Sequence, residues 1–333
     1  MPVRTLEPSE LEESFLKDSV DQWLKSKHCL DLYCSSRTSF IESNFNHSGK
    51  NRIVKAAISS SSHGNWLVGL KLLDWDSKHF NFKIARLAPF IFPDCDPEDK
   101  EAKFHATSIL TELHETSKQL NIKHLSVLVH PGNSLALQIL GQHGFQLMDT
   151  TVMYELDLKK TNYEFKTSEC IREAHPGDLN RLQEIAIECF ANRKNNINRF
   201  NSDPAFTRER VAALYADWIA NSLGGNMADR LYVLDKDSQL QGFLSIQQSS
   251  KAIYGTSQDA LQIPINAVSP EFKGKGIYRK LAEHAIAEAG LAGITRVEIW
   301  THISNTAVHR VWQSFGASLV LAGHQLRRCQ ASK

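Results

Sequence analysis

NIKHLSVLVHPGNSLALQILGQHGF (Asn121–Phe145) aligns without a gap to GITRVEIWTHISNTAVHRVWQSFGA (Gly293–Ala317). Ile122 stands opposite Ile294, Leu125 opposite Val297 and Val127 opposite Ile299. His130 matches His302, Asn133 matches Asn305 and Gly144 matches Gly316. Each copy reads as a strand, a short loop and a helix. HLSVLVH and RVEIWTH are β-branched and apolar, as strands are. Asn133 and Asn305 sit where a helix N-cap belongs. Ala136, Ile139 and Leu140 in one copy, and Val308, Val311 and Trp312 in the other, recur at helical spacing. Gly144 and Gly316 suit helix C-termini. A repeat of this length predicts two similar halves in tandem.

Upstream the match continues with a shift of one residue. PEDKEAKF (Pro97–Phe104) faces PEFKGKGI (Pro270–Ile277), but Gly274 and Gly276 face Glu101 and Lys103. The shared fold therefore does not require these glycines, and the second copy keeps them for another reason. A glycine-flanked helix start offers free N–H groups and a partial positive charge to a phosphate. A plain turn with solvated lysines and a nucleic-acid contact are the competing readings. The first copy makes the turn without glycines, which weighs against the plain turn. No aromatic platform or wider basic surface accompanies the loop, which weighs against nucleic acid.

The chain has 333 residues, 42% of them hydrophobic, with a formal net charge of +1. That length suits two domains, and that charge supplies no field to recruit nucleic acid or an anionic membrane. No apolar run is long enough to span a bilayer, and the N-terminus lacks the apolar core of a signal peptide. The six cysteines (Cys29, Cys34, Cys95, Cys170, Cys189 and Cys329) show no zinc-ligand spacing. A cytoplasmic protein with reduced thiols and no metal is the expectation, and an oligomer is compatible with it. Residues 1–29 read as a helical lead-in, 30–158 as the first half, 159–166 as a polar linker and 167–333 as the second half.

The second half follows the order β-α-α-β-β-β-loop-α-β-α-β. IREAHPGDLNRLQEIAIECF opens it as a strand, a turn and a helix, and Val211, Leu214, Tyr215, Trp218 and Ile219 mark the next helix. RLYVLD and GFLSIQQ read as a hairpin. The fold class is α/β (α+β), a mixed sheet covered by helices.

This order resembles the GNAT acetyltransferase superfamily. IREAHPGDLNRL, INAVSPEFKGKGIYRKL and NTAVHRVWQSFGA carry the resemblance, which covers nearly all of the second half. It implies two tandem GNAT-like mixed sheets flanked by helices, the first of them degenerate. The superfamily loop, Arg/Gln-x-x-Gly-x-Gly/Ala, reads here Lys273-x-x-Gly276-x-Tyr278, with lysine and tyrosine as departures. RFNSDPAFTRERVAALYADWIANSL and LDWDSKHFNFKIARL resemble, less specifically, the bacterial TDP-fucosamine-type N-acetyltransferases, which act on nucleotide-linked amino sugars.

The resemblance implies acetyl-CoA as co-substrate and a small-molecule amine as acceptor. Lys273, Gly274, Lys275, Gly276, Ile277, Tyr278 and Arg279 would receive the pyrophosphate, and Ala267 and Val268 the pantetheine arm. Asn305 is read as a helix cap or as a cofactor contact. Many relatives carry a tyrosine acid where this chain has Trp312, whose indole is a donor but a very poor acid. His302, Tyr278 and His309 are the alternatives, His302 having a pKa suited to proton transfer. His302 also reads as a positional residue shared by both halves. Arg193, Arg199 and Asp203 are candidate contacts for an anionic sugar nucleotide, and Trp75, Asp76 and Phe80 a candidate cleft wall. Solvated loop and packing are the plainer readings of these groups. Other acceptors (an amino acid, a polyamine, an antibiotic, a protein N-terminus) and a non-catalytic acetyl-CoA-binding scaffold are the competing functions.

Overall fold

The computed structural model describes residues 3–24, 53–192, 197–249 and 260–329. The chain forms two compact units. Among the described residues, the first holds those up to Thr150 and again from Ala322, and the second those from Thr151 to Leu321. The lead-in, expected to be helical, contains a strand as well, β1 (Arg4–Leu6), before helix α1 (Glu13–Leu24).

The first unit continues with strands β2 (Ile53–Ser61) and β3 (Gly64–Leu72), the short helix α2 (Asp74–Phe80) and strand β4 (Ile84–Ile91). Helix α3 (Lys100–Gln119), strand β5 (His124–Val129), helix α4 (Ser134–Gln142) and the start of strand β6 (Gln146–Asp157) follow. β4 and β5 pair in parallel, and the β1–β2, β2–β3 and β3–β4 ladders are antiparallel. Trp66, Val68, Leu70, Ile109, Leu113 and Ile122 form its core and are almost fully buried.

The second unit contains β7 (Ile171–Glu173), α5 (Leu179–Phe190), α6 (Arg208–Leu223), β8 (Arg230–Lys236), β9 (Gln239–Ser249), β10 (Ala260–Gln262) and β11 (Asn266–Val268). α7 (Ile277–Leu291), β12 (Arg296–His302), α8 (Thr306–Ser314) and the start of β13 (Ser318–Cys329) complete it. Here β10 and β12 are the parallel pair. Asp237 and Ser238 take left-handed φ values of 56° and 58° between β8 and β9, the tight turn that a right-twisted hairpin favours. On α6, Val211, Leu214, Tyr215 and Ile219 are buried, and Trp218 stacks on Tyr215 at 6.1 Å.

The repeat survives in atomic detail. Phe145 N bonds Leu140 O and Ala317 N bonds Trp312 O, which closes the two helices in the same way. Gly144 and Gly316 are left-handed, at φ 78° and 85°. The packing units and the sequence halves differ at the terminal strands. Residues 151–157 of β6, from the first half, pair with β12 inside the second unit. Residues 324–329 of β13, from the second half, pair with β5 inside the first.

Arg172 ties the start of the second unit together. It bonds Asp178 at 2.8 and 3.0 Å and Asp235 at 2.8 Å. The Arg172 guanidinium holds the Asp178 carboxyl below its ordinary value. A carboxylate with a depressed folded pKa stabilises above its unfolded pKa and loses that contribution as pH falls through the folded one. Asp178→Ala is expected to lower stability by about 2 kcal/mol at neutral pH. The deficit should shrink as pH falls from the ordinary carboxylate value through the depressed folded one, as urea unfolding at several pH values would show.

Candidate functional site

A cavity of about 530 Å³ lies within the second unit, in the size range of small-molecule sites. It opens where β11 parts from β12. β10 pairs with β12 as far as Gln262 and Glu298, whereas β11 pairs with β9. The ladder direction follows from two bonds: Ser245 N to Ile265 O and Ser269 N to Gln241 O, each 2.9 Å. In an antiparallel ladder alternate residues face the partner strand. Ala267 therefore turns its peptide groups to β9, and Asn266 and Val268 turn theirs outward. Sequence reasoning named Ala267 and Val268 and missed Asn266. All three line the cavity.

The loop 273–278 forms the next wall. Gly274 and Gly276 have φ values of 79° and 76°, and a Cβ built on either meets no atom within 4 Å. Gly276 is the N-cap of α7 and no side chain caps it. The first α7 bond runs from Lys280 N to Gly276 O, 3.1 Å. The amides of Ile277, Tyr278 and Arg279 precede it and lack intrahelical acceptors. The corresponding helix of the first unit starts closed, because Asp99 accepts from Ala102 N at 2.8 Å and caps α3. The helix start left open in the second unit is thus closed by a carboxylate in the first.

The remaining charges differ in freedom. Lys273 and Lys275 are exposed, and Lys275 Nζ lies 4.8 Å from the Phe272 ring. Arg279 lines the cavity but is tied down. It bonds Ser314 Oγ at 2.8 Å and Tyr163 OH at 3.5 Å, and pairs with Glu283 at 3.8 Å. Its role is structural support as much as charge.

His302 and Asn305 sit at the far wall. The Nδ1 of His302 accepts Ser304 N–H at 3.0 Å, and His130 accepts Gly132 N–H at 3.0 Å in the first copy. With Nδ1 an acceptor, the neutral ring carries its proton on Nε2. The shared histidine is thus a turn residue in both copies, and proton acceptance at Nδ1 would require the Ser304 bond to open. Asn133 caps its helix, accepting from Ala136 N at 3.0 Å. Asn305 holds the same N-cap position without capping. Its Nδ2 donates to Thr301 Oγ1 at 3.2 Å and its side chain lines the cavity. His309 lies outside the lining, bonded to Ile303 O at 3.0 Å and Tyr154 OH at 3.1 Å.

Trp312 is fully buried, and its Nε1–H donates to the Tyr278 hydroxyl at 2.8 Å. Burial pushes the Tyr278 phenol above its ordinary pKa. The lining also contains residues that were not named as site candidates from sequence, among them Cys189, Phe190, Ile197 and Phe272. Burial raises the Cys189 thiol to about 11, and its Sγ donates to Val268 O at 3.2 Å. Only topology could have found it, since α5 is far from β11 in sequence.

The acceptor residues expected from sequence are not gathered here. Arg193 lies outside the described residues. Arg199 sits 4.2 Å over the Phe200 ring, and Asp203 is buried and accepts from Ala205 N at 2.9 Å. Trp75 belongs to the first unit, on α2, with its ring 4.2 Å from that of His79. Asp76 and Phe80 are buried on the same helix.

A mixed sheet that splays beside an uncapped, glycine-flanked helix defines the class of fold and site. The Acetyltransferase (GNAT) family model matches residues 180–317. Over these residues the second unit is similar to GNAT N-acetyltransferases. An uncharacterized N-acetyltransferase of Archaeoglobus fulgidus is 26% identical over 144 residues, 43% of this chain and 89% of the relative. The spore coat polysaccharide biosynthesis protein SpsD of Bacillus subtilis is 25% identical over 142 residues, 42% of this chain and 44% of SpsD. The match thus spans less than half the length of SpsD. A solved tandem GNAT protein from the clavulanic acid biosynthesis pathway superposes with a TM-score of 0.54. It is 12% identical, and 99% of this chain and 100% of that chain are covered. At that identity the likeness is one of fold, and the fold is a tandem GNAT. No helix among the described residues is long and apolar enough to cross a membrane.

Proposed function

We propose that the second unit is an acetyl-CoA-dependent N-acetyltransferase that acts in the cytoplasm on the amino group of a small acceptor. The observation that carries this reading is one cavity bounded by both the uncapped start of α7 and the outward edge of β11. The pyrophosphate suits the first-turn amides and the positive end of the helix. The amide groups of the pantetheine arm suit the outward peptide groups of Asn266 and Val268, as a strand suits an open sheet edge. Lys273 and Lys275 add screened charge at the mouth.

Direct attack of the amine on the thioester is the mechanism the residues favour. The nucleophile of a two-step route would be Cys189, the cysteine in the lining. Its thiol is raised to about 11 and its proton is held by Val268 O, so almost no thiolate exists at neutral pH. Cys189→Ala is expected to leave turnover within about twofold of wild type, whereas an acyl-cysteine route would lose it entirely. A nucleotide-linked amino-deoxy sugar is the proposed acceptor class. Its support is the similarity to a protein named for polysaccharide biosynthesis.

Release of free thiol from acetyl-CoA, measured across a panel of amines, tests the proposal. Amino-sugar nucleotides should accelerate release, and amino acids and polyamines should not. Acceleration by the latter alone would overturn the acceptor class. Acceleration by none of them would remove the support for transfer.

A further inference from the structure

The two departures from the loop and helix pattern, Tyr278 and Trp312, meet each other. The indole nitrogen carries a proton and offers no lone pair. At the 2.8 Å contact the phenol oxygen must therefore accept. Its own proton points elsewhere, and among the described residues that hydroxyl has no other hydrogen-bond partner. Tyr278 also lines the cavity. The result is a donor whose acceptor side is occupied and whose proton is unspent.

We propose that Tyr278, oriented by Trp312, donates a hydrogen bond to the sulfur of a CoA thioester or thiol held in this cavity. The inference rests on the acetyl-CoA reading above. Trp312 is then a positioning residue, acting through the phenol and touching no substrate. The outward peptide groups of β11 serve the carbonyl and amide groups along the strand, which leaves the sulfur for the phenol. The raised phenol stays protonated and is a weaker acid than a thiol. Tyr278 thus stabilises developing negative charge on sulfur without surrendering its proton. The balance needs no proton from it. A C–N bond forms, the C–S bond breaks with its electron pair on sulfur, and the proton lost by the amine completes the thiol through solvent.

The bound product reports this bond without any acceptor being known. The thiolate of CoA, bound to the full chain, is titrated by its ultraviolet absorbance. Lys273, Arg279, His302 and Cys189 face the same cavity and are unchanged in each comparison. In Tyr278→Phe the bound thiol should titrate about one unit higher than in wild type, a tenfold shift in its ionisation. Trp312→Phe should give a smaller shift, and none when Tyr278 is already Phe. Tyr278→Phe should also lose any preference for CoA over desulfo-CoA. The same thiol titration in wild type and Tyr278→Phe, or an equal weakening of CoA and desulfo-CoA, would overturn the proposal and leave the acetyl-CoA reading standing. A Trp312→Phe shift of equal size in both backgrounds would remove the positioning role. Failure of the wild type to bind CoA at all would overturn both.

Discussion

Gly276→Asp is expected to lower acetyl-CoA affinity about 100-fold, or close to 3 kcal/mol, and to leave the fold intact. The first unit shows what an acidic residue does at such a helix start. Asp99 closes α3 by accepting from Ala102 N, and this bond more than any other holds its carboxyl below the ordinary value. An aspartate at 276 would place a competing anion where the pyrophosphate is proposed to bind. The fold should tolerate it, because a Cβ at 276 meets no atom within 4 Å. Aspartate also accepts a left-handed φ at a cost of about 1 kcal/mol. Calorimetric titration gives the affinity and thermal melting confirms the fold. Unchanged affinity would move the cofactor away from α7.

The second large effect is expected at Gly242, a residue of β9 that no motif singled out. A Cβ there would lie 2.7 Å from Ala267 O, 3.3 Å from Val268 Cα and 3.3 Å from Ile277 Cγ2. The first of these is a backbone contact that no rotamer change relieves. Gly242→Ala must push β11 off β9 or lift the start of α7, and these are the two walls that define the cavity. The expected cost is about 2 kcal/mol of stability, typical of overpacking, with a concurrent loss of acetyl-CoA affinity. Urea unfolding and titration of the same variant would show both. Wild-type stability together with wild-type affinity would mean that β11 is not held in place by this contact.

Much of this architecture was legible in the sequence, because the chain repeats itself. The alignment of Asn121–Phe145 with Gly293–Ala317 placed β5 with β12 and α4 with α8. The missing glycines of the first copy set the loop of the second apart from the turn that both share. Long-range geometry was not legible. ALQIPINAVSP reads as one strand, yet it breaks into β10 and β11, and Pro264 lies between them with no N–H to give a ladder. Which residues of β11 face outward depends on register against β9, and so Asn266 was missed. The identical pattern around His130 and His302 is visible in sequence. That both rings accept from the amide two residues on is visible only in the structure. Trp312 and Tyr278 read singly as departures from a pattern, and only the structure shows that a hydrogen bond joins them. The exchange of terminal strands between the units leaves no mark on local periodicity.

The proposed cofactor site belongs to the second unit alone, because its helix start is open where that of the first is capped. Calorimetric titration of the full chain with acetyl-CoA tests this most directly. A single site per chain is expected, weakened about 100-fold by Gly276→Asp and unaffected by Asp99→Ala. No binding, or a second site of similar affinity that depends on the start of α3, would contradict it.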